Sequence, residues 1–165
     1  MKTGILCFIA AAVILSACSS SSNTARTESK AESFERTAAL IESGNYQFTV
    51  RSASPTGGRT IQITSSYAMK AAEGNYEALL PYFGQVYYGG YGQGGSVEFN
   101  GKPENLQIER NDKKYKISVR FSINSGSEKY DIKLDLSASG YGNLVVSSAK
   151  RKTISYYGLL SGPGD

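Results

Sequence analysis

Residues 115–136 read YKISVRFSINSGSEKYDIKLDL, and this stretch limits the fold more tightly than any other in the chain. Apolar side chains recur at every second place: Tyr115, Ile117, Val119, Phe121 and Ile123, then Tyr130, Ile132, Leu134 and Leu136. Lys116, Ser118, Arg120 and Ser122 alternate with the first set, and Lys129, Asp131, Lys133 and Asp135 with the second. Successive side chains of a strand point to opposite faces, so a period of two buries one face and wets the other. Asn124-Ser125-Gly126-Ser127 supplies the short hairpin connection between the two runs.

The same period appears at Tyr46/Phe48/Val50, Ile61/Ile63, Tyr67/Met69/Ala71, Val97/Phe99, Leu106/Ile108, Leu144/Val146 and Ile154/Tyr156. Turn signals separate these runs at Pro55-Thr56-Gly57-Gly58, Gly74-Asn75, Asn100-Gly101, Asn111-Asp112 and Ser139-Gly140. Many short strands with one wet face predict a mainly β fold. We expect an antiparallel meander that closes its apolar face as a β-sandwich or a barrel-like sheet. The strands are too few, and their polar faces too charged, for a lipid-facing barrel. Ahead of them, SKAESFERTAALIESG predicts one N-terminal amphipathic α-helix. Phe34, Ala38 and Ile41 share a face, Ser29 and Glu32 have capping-box spacing, and Gly44 sits where a C′ residue belongs.

The N-terminus predicts an address. Lys2 followed by the apolar run Ile5–Leu15 has the form of a secretory leader, too short for an ordinary spanning helix. The leader ends Leu15-Ser16-Ala17-Cys18, the pattern of a lipoprotein cleavage site with Cys18 as the lipidated residue. We therefore expect a leader over 1–17, a flexible lipid-anchored tether over 18–30 and a single β-rich domain over 31–160. The expected location is the cell envelope, on the periplasmic side of the outer membrane. The only other cysteine, Cys7, lies in the leader, so the domain has no disulfide and relies on packing. Losing Lys2 lowers the net charge from +4 to +3, a mild value that, with export, argues against nucleic acid.

Chemistry is limited by what the chain lacks. It has no His, and neither cysteine belongs to the expected domain. Ser-His-Asp and Cys-His catalysis are thereby excluded, and the commonest transition-metal ligands are missing. Ser147 and Lys150 match S-x-x-K, but on a strand-like run they point to opposite faces. Gly90, Gly92 and Gly95 form a G-x-G-x-x-G that precedes a strand-like run, not the helix a dinucleotide site needs. No cofactor and no metal is expected. Two carboxylates suffice for a glycosidase, so a small glycan-active hydrolase is kept as the alternative to a non-catalytic module. Lys113, Lys114, Lys150, Arg151 and Lys152 gather at two apparent turns, which reads either as solvated hairpin ends or as a lipid-headgroup patch.

The remaining signal is LLPYFGQVYYGGYGQGG at residues 79–95. Pro81 marks a strand edge or break. Tyr82, Tyr87, Tyr88 and Tyr91 stand among glycines with too little alternation to enter a core together, and are the candidate ligand-binding residues. Rings on a loop stack on sugar faces or on peptide, so the expected partners are an envelope glycan, a lipid headgroup or a protein, besides the membrane reached through Cys18.

Three stretches, ALIESGNYQF, LPYFGQVYYGG and KRKTISYYG, together with SVEFNGKPENLQIER, resemble the Bacteroidetes lipoproteins of the domain-of-unknown-function 4251 family. The resemblance spans roughly residues 34–160. It implies an envelope lipoprotein of a didermal bacterium and brings no activity, catalytic residue or cofactor.

Overall fold

The computed structural model describes residues 21–87 and 95–164, with side chains from residue 29 onward. One helix, α1 (Ser21–Glu42), precedes ten strands: β1 (Tyr46–Pro55), β2 (Ile61–Gln62), β3 (Ala68–Ala72), β4 (Asn75–Pro81), β5 (Ser96–Gly101), β6 (Glu104–Asn111), β7 (Lys116–Ser125), β8 (Glu128–Ser137), β9 (Tyr141–Ser148) and β10 (Ile154–Ser161). They form one antiparallel sheet in the order β5-β4-β3-β1-β10-β9-β8-β7-β6, with β2 paired to β1. The sheet curls into a half-barrel, the barrel-like alternative of the expectation.

Two meanders build the sheet. From β1 the chain steps outward to β5, crosses through Lys102-Pro103 to β6 at the opposite edge, and steps back to β10 beside β1. The Asn100-Gly101 pair expected as a turn instead closes β5, where both residues pair with β4. The β6–β7 ladder stops at Glu104↔Ser122, so Ile123–Ser125 of β7 pair with β8 alone. Where the arms approach, Phe99 packs 6.4 Å from Phe121 and 6.1 Å from Tyr130, and Tyr76 lies 4.4 Å from Phe121. This aromatic group closes the curl by packing, with no β5–β7 ladder among the described residues.

The alternating residues fill the core as their period requires. Tyr46, Phe48, Val50, Met69, Val97, Phe99, Ile117, Val119, Ile132, Leu134, Leu144 and Tyr156 are all buried. A register shift between Val50 and Ser52 moves β1 by one residue, so that Ala53 points inward where strict alternation would turn it out.

Helix α1 covers one end of the half-barrel. It buries Phe34, Ala38 and Ile41, and the Thr37 hydroxyl lies 3.0 Å from the Ala138 carbonyl at the β8–β9 turn. Arg110 places its guanidinium 4.9 Å from the centre of the Phe34 ring, and Tyr115 meets that ring edge-on at 5.5 Å. The helix ends at Gly44 with φ +63°, as its C′ spacing predicts. Its start differs. Ser29 stands inside the helix, which begins at Ser21, because Ala25, Arg26 and Glu28 continue the helical run without a breaker.

Candidate functional site

At the end of the half-barrel away from α1, three connections meet: residues 82–87 after β4, the β7–β8 hairpin and residues 149–153 before β10. Arg151 joins them. Its Nε lies 3.0 Å from Glu128 Oε1, its Nη2 donates to Glu128 Oε2 at 3.0 Å, and its Nη1 donates to the Ser96 carbonyl at 2.9 Å. The guanidinium also lies 5.2 Å from the Tyr82 ring centre and 5.8 Å from that of Tyr130. The two charged side chains are only 17% and 10% exposed, and Glu128 also accepts from Ser148 and Tyr130. Every acceptor of this buried charge is thus occupied. Burial raises the Glu128 carboxyl, but hydrogen bonds from Arg151, Ser148 and Tyr130 outweigh it and hold the group below its ordinary range. Burial pushes the Tyr130 phenol up to about 12 against the pull of Arg151.

This clamp fixes the root of the tyrosine and glycine loop. Val86 bridges Arg151 in antiparallel fashion, Lys152 N–H donates to the Gln85 carbonyl at 2.9 Å, and Tyr87 N–H donates to the Lys150 carbonyl at 2.7 Å. The Tyr156 hydroxyl donates to the Pro81 carbonyl at 2.9 Å, which pins the last residue of β4. Tyr82 is 6% exposed, and its hydroxyl lies 2.8 Å from the carbonyls of both Gln85 and Lys152. It therefore sits beneath the loop, where a large ring with a polar tip fills a corner and satisfies turning backbone. Gly84 follows from this: a Cβ there would meet the Tyr82 hydroxyl at 2.4 Å. Tyr87 is 56% exposed on the pinned backbone. Tyr88 and Tyr91 lie outside the described residues, as does Cys18.

Beside the root lies an open groove of about 670 Å³. One wall is the outer face of β3–β5, with Ala68, Lys70, Glu77, Leu79 and Glu98; the other is Asn124–Gly126 of the hairpin, and Tyr67 closes one flank. The groove follows the seam where β5 and β7 approach without pairing. Leu79, Phe83 and Tyr87 are large apolar side chains left exposed at this end. Within the groove Lys70 pairs with Glu77 at 3.5 Å, while Glu98 has no ion-pair partner among the described residues. The lining charge is therefore slightly negative. Sequence reasoning singled out Tyr82 and Tyr87 but not the groove, because Lys70, Glu98 and Asn124 come from separate strands brought together only by the curl.

Lys113 and Lys114 occupy the β6–β7 turn at the helix end, while Lys150–Lys152 lie at the opposite end, so they form two patches. Arg151 itself is taken into the buried clamp. Lys150 Nζ donates to Ser127, and Ser147 faces the Asp131 carbonyl, so the S-x-x-K residues do not meet. Asp131 and Asp135 accept from Ser122 and Ser118, each at 2.7 Å. A glycosidase acid needs a raised pKa, yet Glu104, Glu128 and Asp135 are all displaced downward. Among the described residues no cluster of three or more His, Cys, Asp or Glu is placed to hold a metal ion. Tyr141 and Tyr157 stack at 5.8 Å on the outer face, with Arg51 5.3 Å from the Tyr141 ring centre. Period two in the doublet Tyr156-Tyr157 is the signal that would have placed the second ring outside.

No curated protein matches the chain. Among solved structures, a DUF4251 family protein from Bacteroides eggerthii DSM 20697 is similar at a TM-score of 0.64 and 19% identity, over 80% of this chain and 89% of that one. At that identity the likeness speaks to the fold. The model of the domain of unknown function DUF4251 matches residues 28–160, and the chain belongs to that family.

Proposed function

We propose that this protein is a lipid-anchored envelope lipoprotein whose domain is a non-catalytic binding module, held by Cys18 on the periplasmic side of the outer membrane. Its ligand is an envelope glycan lying in the groove beside the tyrosine and glycine loop. The observation that carries this reading is the rigid mount: a loop root fixed by a buried ion pair, with Phe83 and Tyr87 exposed at that end, near a 670 Å³ groove whose lining includes the exposed Leu79. Preorganised exposed rings bind with little ordering cost. Sugar faces stack on rings while hydroxyls bond to side chains such as Asn100, Asn124 and Glu98. Glu77 and Glu98 against Lys70 make the groove unfavourable to anionic headgroups, which supports a neutral glycan over lipid.

The test is co-sedimentation with isolated envelopes stripped of lipid. The chain is expected to pellet with them, and Leu79→Ser with Tyr87→Ala to stay in solution with a melting temperature close to that of the parent. Equal pelleting of both, or of neither, would reject the groove. Cys18→Ala should separately release the protein from whole membranes; continued attachment would point to another anchor.

A further inference from the structure

Strand β6 is exposed along its whole length and on both faces. Among the described residues it pairs only with β7, so its outer edge offers an unpaired row of backbone donors and acceptors. Leu106 and Ile108 remain 43% and 45% exposed, although Ile108 sits opposite the buried Val119. The alternation that predicted a buried face here is thus genuine, but nothing among the described residues covers it.

We propose that a second copy of this chain covers it, the two β6 strands pairing antiparallel across a two-fold axis at Gln107. The strand is self-complementary about that residue. Leu106 of one copy then faces Ile108 of the other, Asn105 faces Glu109, Glu104 faces Arg110, and Gln107 faces itself. Every opposed pair is apolar with apolar, amide with carboxylate, cation with anion, or amide with amide. Because a two-fold contact uses the same patch twice, each pair off the axis forms twice and the Gln107 pair on the axis forms once. Moving the axis one residue to Ile108 keeps a single apolar match, Ile108 on itself, but sets Leu106 against Arg110 and Glu104 against Asp112, so the charge match is lost and Leu106 faces a cation. Glu104 already accepts from Lys129 at 2.8 Å and Asn124 at 2.7 Å, and Arg110 is held by Glu35 and Asp112, so the charged ends add to the contact only by sharing these partners and the apolar pair Leu106–Ile108 carries it. The left-handed Asn105, with φ +54°, and the register shift beside it end the straight run at Leu106, so the strict register holds for Leu106–Ile108, while Asn105 and Glu104 meet Glu109 and Arg110 only as neighbours beyond it. The contact therefore centres on 106–108.

The register makes the proposal testable with single cysteines in the full chain, with the parent as control for Cys7 and Cys18. Gln107→Cys places its thiol against its own copy and is expected to give a disulfide-linked dimer under mild oxidation. Glu109→Cys faces Asn105 and is expected to remain uncrosslinked. Ile108→Lys should convert a sedimenting dimer to monomer with unchanged far-UV circular dichroism. Crosslinking of both cysteine variants, or of neither, overturns the register, and a parent that sediments as a monomer overturns the dimer. If Ile108→Lys loses its structure, the cysteine pair still decides.

Discussion

Replacing Glu128 by Gln should be among the most damaging isosteric changes available in this domain. The carboxylate receives three hydrogen bonds from Arg151 at 3.0–3.1 Å, one from Tyr130 at 3.0 Å and one from Ser148. A Gln amide turns one acceptor into a donor facing other donors, and leaves the mostly buried Arg151 without its counter-charge. Breaking a buried pair costs about 3–5 kcal/mol when one partner is removed. With 17% and 10% exposure remaining, some solvent relief brings the expected loss to about 2–4 kcal/mol. The exposed Lys70–Glu77 pair is the internal control, since Glu77→Gln should cost under ~0.5 kcal/mol. Urea unfolding followed by far-UV circular dichroism measures both, and tyrosine fluorescence reports the transition because the chain has no Trp. The pH dependence carries a sign. Glu128 is depressed in the fold from an ordinary 4.5, so its stabilisation is full above that value and lost as pH falls through the lower folded one. The parent should therefore lose more stability than Glu128→Gln on acidification below about pH 4.5. A loss under ~1 kcal/mol for Glu128→Gln, no larger than ordinary surface changes, would refute the clamp.

Further expectations concern packing and tyrosine chemistry. Gly158→Ala puts a Cβ 2.3 Å from the Thr49 carbonyl oxygen and 2.9 Å from the Phe48 ring; a loss of about 1–3 kcal/mol by thermal unfolding is expected, and a neutral result would mean the curl relaxes freely. Tyr82→Phe should cost about 1–2 kcal/mol through the Gln85 and Lys152 carbonyls it leaves, whereas Tyr87→Phe should be silent in the same unfolding experiment. Burial raises Tyr46, Tyr82, Tyr130 and Tyr156. Their stabilisation is full below the ordinary value of 10 and lost as pH rises through the folded values, so alkaline phenolate titration should show a late class that appears together with unfolding. Smooth titration of all tyrosines near 10 would contradict the burial.

Residues 116–136 were readable because each strand there obeys one rule along its length; only Tyr115 departs from it, standing in the β6–β7 turn at φ +51° against the helix. Leu106 and Ile108 follow the same rule yet remain exposed, since alternation says which side chains share a face but not whether anything packs on it. Asn100-Gly101 shows the reverse failure: a strong turn dipeptide was absorbed into β5 because its backbone found partners on β4. From the sequence Arg151 is one of several turn cations, either solvated or facing lipid headgroups. Its partner Glu128 is far away in sequence, and no local pattern announces a buried pair formed by two separate hairpins. The groove was illegible for the same reason, whereas Tyr87 stood out because glycine neighbours leave a ring little to pack against.

The seam between β5 and β7 is the ligand surface proposed above. Backbone chemical-shift mapping with a panel of neutral oligosaccharides, chitotetraose among them, tests it directly. Shifts are expected only at residues lining the groove, above all Leu79, Glu98, Asn100 and Asn124–Gly126, with β6 and α1 unmoved. Shifts centred on β6 or on the helix, or none with any member of the panel, would contradict it.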